Sequence, residues 1–179
     1  MQYKCVCNII TRRHGAALGI GGRRPLRLNA KMSPWARRKM AMQFLYAMNF
    51  LHKRGVCHRD LSYGNVLIHT YDDGAFAVKV SDFGLAKERG SDLTSTGSSM
   101  KGSIIDPALK SFRDFKPVND IYSIGFILNY IFTGRRDLLA DGSRLGSIIQ
   151  KCSTTNSADR YQTVRDIIED MKKAECPVG

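Results

Sequence analysis

The stretch that decides the fold reads His58-Arg59-Asp60-Leu61-Ser62-Tyr63-Gly64-Asn65, and Asp82-Phe83-Gly84 answers it seventeen residues after Asn65. Between them lie two short β-type runs, Val66-Leu67-Ile68 and Ala75 to Val80, split by the turn signal Asp72-Asp73-Gly74. The spacing predicts a hairpin with one motif on either side. The residue types make chemical sense together. A carboxylate at Asp60 can accept a hydroxyl proton and orient a nucleophile. Asn65 and Asp82 offer the hard oxygens that Mg2+ prefers, and Gly84 gives a metal-holding turn its backbone freedom. A plainer role stays open to Asp60 and Asp82, the capping of loops.

Working outward, Ser33-Pro34 is a helix start, with Ser as N-cap and Pro at the first helical position. Ala41, Phe44, Leu45, Met48 and Leu51 recur at helical spacing, and Gly55 closes the run near Arg54. A helix is therefore predicted over 34–53. Residues 86–103, rich in Ser, Thr and Gly, read as a long loop of the functional or mobile kind. Pro117 and Val118 open a second helix that ends at Thr133-Gly134 and is apolar nearly all round, which predicts burial on most faces. Leu145 to Cys152 and Thr163 to Lys173 are two more amphipathic helices. Residues 1–32 are poorly patterned: Val6, Ile9 and Ile10 fit a short helix or a strand, and His14 to Gly22 a loop. The chain divides into a basic, irregular segment over 1–32, a mainly α (α+β) domain over 33–174 and a tail over 175–179.

Composition narrows the class. The 179 residues are 43% hydrophobic and 25% charged, which excludes a disordered tail or a fibre. No apolar run is long enough to span a membrane. The net charge of +12 is uneven, because residues 1–59 hold thirteen Lys and Arg and no Asp or Glu. Such asymmetry fits an anionic partner or acidic segments elsewhere in the protein. The basic face Arg37, Arg38, Lys39 reads as solvated, since no nucleic-acid motif or aromatic interleaving accompanies it. Five cysteines without a C-x-x-C pair fit neither a disulfide framework nor a zinc site, and point to a reducing, cytoplasmic setting.

The paired motifs resemble the catalytic and metal loops of protein kinases. More of the chain agrees: Gly102 to Ala108 resembles the end of an activation segment, Asp120 to Gly125 the start of the buried central helix, and Arg160 the arginine between the last two helices. The resemblance covers about residues 34–174 and implies the large, C-terminal lobe of a Ser/Thr-type protein kinase, with a small hairpin carrying both loops. It implies ATP and Mg2+ as cofactors and a protein as substrate. Asp60, Asn65 and Ser62 would be the catalytic-loop residues, Asn65 and Asp82 the metal ligands, and Asn65, Leu67 and Asp82 the nucleotide contacts. Leu67, in the place of the residue under adenine, reads equally as an ordinary strand leucine. His58 and Phe83 would belong to a packed spine. Asp120 would cap the central helix and hold the catalytic-loop backbone, and Ser103 would hydrogen-bond near Asp60. Ser91, Thr94, Ser95, Thr96, Ser98 and Ser99 are candidate phosphosites, with Arg59 placed to pair with such a phosphate.

Four departures matter. There is no room for a small lobe with its glycine loop and strand lysine: Lys31 precedes Asp60 by only 29 residues and reads as a solvated loop residue. The sequence is thus expected to begin near the inter-lobe hinge, as part of a longer protein or a shortened reading frame, with weak or no catalysis by itself. Ser62 stands where Ser/Thr kinases usually carry a lysine, a contact typically worth about 10²–10³ in rate. Ala108 stands where the family has the glutamate that pairs with the arginine matched by Arg160. Arg160 is therefore expected either partly solvated or turned to Asp106, because a buried unpaired arginine is costly. Gly134 to Leu145 is short for the usual substrate-docking helix. The leading expectation is phosphoryl transfer to protein Ser or Thr, since Ser62 and Gly64 lack the arginine typical of tyrosine kinases. Its rivals are a catalytically impaired regulatory lobe, a small-molecule kinase and a basic nucleic-acid or membrane-surface binder.

Overall fold

A computed structural model describes residues 24–25, 32–82, 87–88, 104–138 and 141–174. Helix α1, Pro34–Lys53, starts at Ser33, whose Oγ accepts the Ala36 amide at 3.2 Å. Its bounds are those the sequence predicts. The helix stops at Arg54 and Gly55, where Gly55 takes φ 73°, a conformation that costs a residue with Cβ far more. Its apolar stripe, Met40, Ala41, Phe44, Leu45, Met48 and Leu51, is buried.

Strands β3 (Val66–Thr70) and β4 (Phe76–Val80) form the expected antiparallel hairpin, in register Val66↔Val80 and Thr70↔Phe76. The Asp73 carboxylate accepts the Ala75 amide at 2.9 Å in the turn, and Gly74 sits at φ 78°. Three short strands had no legible pattern. β1, Arg24–Pro25, lies on the sheet edge beside β3, so the segment expected to be irregular contributes a third strand. Pro25 has no N–H to donate and is tolerated there because it is an edge. β2 (Val56–Cys57) pairs with β5 (Lys87–Glu88), which interrupts the long loop expected over 86–103.

Helix α2, Pro117–Thr133, is the centre of the lobe: Ile121, Ile124, Ile127, Leu128 and Ile131 have no exposed surface. Burying side chains of this size is worth about 1.5–3 kcal/mol each. Gly134 ends the helix at φ 74°, its amide bonded to the Tyr130 carbonyl at 2.8 Å. Helix α3, Arg144–Ser153, packs so closely on α2 that a Cβ on Gly125 would come within 2.8 Å of the Cys152 Cβ. Helix α4, Val164–Lys173, closes the lobe against α1, burying Val164, Ile167, Ile168 and Met171. No helix among the described residues is long and apolar enough to cross a membrane.

The expected solvated face of α1 is corrected by the structure. Arg37 donates through Nη1 to the Ile131 carbonyl at 2.7 Å, in the last turn of α2. Arg38 donates to the Met171 and Ala174 carbonyls at 2.7 and 2.8 Å, at the end of α4. Both cations serve the partial negative charge and unpaired carbonyls that every helix C-terminus presents. Lys39 is exposed, its Nζ 5.0 Å from the Trp35 ring centroid.

Candidate active site

The segment 58–65 leaves β2 and is shaped from below by one buried carboxylate. Asp120, in the first turn of α2, accepts the His58 amide at 2.8 Å and the Arg59 amide at 3.0 Å. The same carboxylate lies 2.9 Å from His52 Nε2 at the end of α1. These bonds hold Arg59 at φ 70°, a left-handed conformation that costs a non-glycine residue roughly 1–3 kcal/mol. Asp120 thus holds the loop backbone as expected, but it does not cap α2: Asn119 Oδ1 takes that place by accepting the Lys116 amide at 2.7 Å. His52 was not singled out, although its position in the last turn of the helix is visible in the sequence.

His58, fully buried, ties the two loops together. The Asp60 amide donates to His58 Nδ1 at 3.3 Å, so that nitrogen carries a lone pair and Nε2 carries the proton. Nε2 donates to the Ser81 carbonyl at 2.9 Å, one residue before Asp82. Asn65 makes a second tie. Its Nδ2 donates to the Asp60 carbonyl at 2.7 Å, while its own carbonyl accepts the Ser81 amide at 2.8 Å. Asp60, Asn65 and Ser81, the residue before Asp82, are therefore held within one hydrogen-bonded unit at the open end of the hairpin, where Val66 pairs with Val80.

Asp60, Ser62 and Asn65 are half-buried, and Asp82 is exposed with φ 61°. Leu67, half-buried on β3, alternates with the buried Val66 and so faces away from the helical core. Phe83, Gly84, Lys31, Ser103 and the candidate phosphosites lie outside the described residues. The donor set suits Mg2+. Donation through Nδ2 leaves Oδ1 as the atom of Asn65 that can meet a cation, and Asp82 adds a carboxylate. No cluster of three His, Cys, Asp or Glu side chains is gathered for a metal among the described residues.

Two arginines complete the picture. The buried Arg59 guanidinium lies 4.8 Å from the Phe112 ring centroid and 5.7 Å from that of Phe115. Burial pulls its pKa down, against the opposing pull of Cys57 and Asp120. Arg160, also buried, turns to Asp106, the second of the two arrangements expected. Nη1 and Nη2 meet the two carboxylate oxygens at 2.5 and 2.8 Å. Thr155 and Val118 carbonyls, at 2.9 and 3.3 Å, take further guanidinium donors. Burial alone would raise the Asp106 carboxyl, but Arg160, the Ala108 amide and the Asn119 side chain outweigh it and hold it below the usual range. The acid has moved two residues upstream of Ala108, yet the ion pair is kept. Ile104, in the same segment, donates its amide to the Leu61 carbonyl at 3.1 Å, which fixes this segment against the catalytic-type loop.

The fold is kinase-like. The solved kinase domain of PknI from Mycobacterium tuberculosis superposes with a TM-score of 0.58, at 21% identity, over 80% of this chain and 57% of that one. The family model for the protein kinase domain matches residues 23–174, and the chain belongs to the protein kinase family. A probable serine/threonine-protein kinase of Clostridium acetobutylicum is 27% identical over 161 residues, 75% of this chain and 24% of that protein. The human tyrosine-protein kinase Srms is 39% identical over 95 residues, 52% of this chain and 19% of that protein. The chain thus spans about a quarter or less of the length of these curated relatives.

Proposed function

We propose that this chain is the C-terminal lobe of a protein kinase that transfers the γ-phosphoryl group of ATP to a Ser or Thr hydroxyl of a protein. The observation that carries the reading is the joining of Asp60, Asn65 and Ser81-Asp82 through His58 and the Asn65 amide. In this role Asp60 orients the acceptor hydroxyl and accepts its proton. Asn65 and Asp82 would hold Mg2+, which supplies charge neutralisation for the nucleotide phosphates when bound. Leu67 offers an apolar surface to the base, and Ser62 contributes a hydroxyl near the transferred group. The two free cysteines among the described residues, Cys57 and Cys152, are buried, which suits the reducing cytoplasmic setting that the composition suggests.

A second reading, a catalytically impaired lobe that acts by contact, is favoured by Ser62. A hydroxyl cannot supply the fixed cation that the family places there. An ATP-Mg phosphorylation assay on the full gene product, with Asp60→Asn beside it, separates the two. Transfer that falls about 10²–10⁴-fold in Asp60→Asn supports the enzyme. Equal phosphorylation by both proteins removes Asp60 from the chemistry.

A further inference from the structure

The loop after α2 brings a cation to the catalytic-type loop. Tyr63 follows Asp60 by three residues, so its Cα lies within about 11 Å of that of Asp60 along the chain. The Arg136 guanidinium sits 5.1 Å from the Tyr63 ring centroid, and that ring is 4.9 Å from Tyr130 on α2. The guanidinium is thus stacked on a platform that α2 itself supports. Arg136 is exposed, and none of the ion pairs among the described residues includes it.

The loop is also fixed. Asn129, almost wholly buried on α2, donates through Nδ2 to the carbonyls of Arg135 and Asp137 at 2.9 and 3.0 Å. Thr133 Oγ1 accepts the Arg135 amide at 3.0 Å. A buried asparagine spent on two loop carbonyls fixes the backbone on both sides of Arg136. A stacked, pre-organised guanidinium loses little freedom when it meets a carboxylate, and its planar fork matches one. Asp137 is the acid nearest in sequence. Burial pushes the Tyr63 hydroxyl upward, and among the charges acting on it Arg136 outweighs Asp137.

We infer that Arg136, stacked on Tyr63, is a specificity-determining residue that selects acceptor segments carrying Asp or Glu within a few residues of the phosphorylated hydroxyl. The inference rests on the kinase reading above and names its substrate class.

The test is binding of the full gene product to fluorescent peptides, which requires no turnover. Two peptides share a central Ser and differ only in flanking Asp/Glu against Lys. The wild type is expected to prefer the acidic peptide by about two- to fivefold at physiological salt, the range of an exposed ion pair, and by more at low salt. Arg136→Ala should abolish the preference and Arg136→Glu should reverse it, with unchanged melting temperature. Indifference of the wild type to peptide charge, or a preference that survives Arg136→Glu, overturns the inference. So does equal competition by a single-stranded oligonucleotide, which would mark a generic polyanion surface. Asp60→Asn should keep the charge preference while losing transfer, so a failure of the catalytic reading is seen separately.

Discussion

Replacing Asp106 with Asn tests the least visible support of the lobe. Both side chains of the Asp106–Arg160 pair are fully buried. Asn keeps the shape and can still accept from Ala108, but it removes the charge that compensates the guanidinium. Breaking a buried pair from one side typically costs about 3–5 kcal/mol. Here the Thr155 and Val118 carbonyls still solvate Arg160, which argues for the lower end. At about 3 kcal/mol, and about 2–4 °C per kcal/mol for a domain of this size, the melting temperature should fall by roughly 6–12 °C at pH 7. Circular dichroism melts of the two proteins measure this. The sign with pH is also fixed. The folded Asp106 carboxyl lies below its ordinary value of 3.8, so its stabilisation is complete above that value. It is lost as pH falls through the lower, folded value. The gap between wild type and Asp106→Asn should therefore be constant near neutrality and close only in strong acid. A melting temperature within 2 °C of wild type, expressed here as roughly under 1 kcal/mol, would refute the reasoning.

Three further outcomes are expected. Gly125→Ala should destabilise by about 1–3 kcal/mol in urea unfolding, because the new methyl would press on Ser153 and Cys152 of α3 and force the helices apart. Arg38→Ala should cost about 1–3 kcal/mol and loosen the end of α4, read as faster amide exchange around Met171, since carbonyls there lose a charged donor. Asp82→Asn should weaken Mg2+-dependent nucleotide binding by calorimetry while leaving the melting temperature within about 1 °C, since its exposed carboxylate lies outside the core.

The local elements were legible because their causes are local. Ser33-Pro34, Gly55, Pro117 and Gly134 carry start and stop information in their own backbone preferences, and the bounds of α1 and α2 follow from them. The run from His58 to Asn65 stands out in the sequence for the same reason, since it is a short run with a fixed chemical inventory. β1, β2 and β5 were not legible, because two residues hold no period and exist as strands only through a partner.

What the sequence determined was the inventory: helices, a hairpin, and three oxygen-bearing side chains spaced on either side of it. What tertiary structure alone decided was which charges meet. Arg37 and Arg38 look like surface on a helical wheel, yet they cap helices whose bonded carbonyls lie 94 and 136 residues away in the chain. The choice of Asp106 for Arg160, and the seating of Arg136 on Tyr63, likewise depend on contacts between distant segments. Electrostatic pairing acts through space over a few ångströms, and a linear pattern carries no record of that distance until the apolar core has brought the segments together.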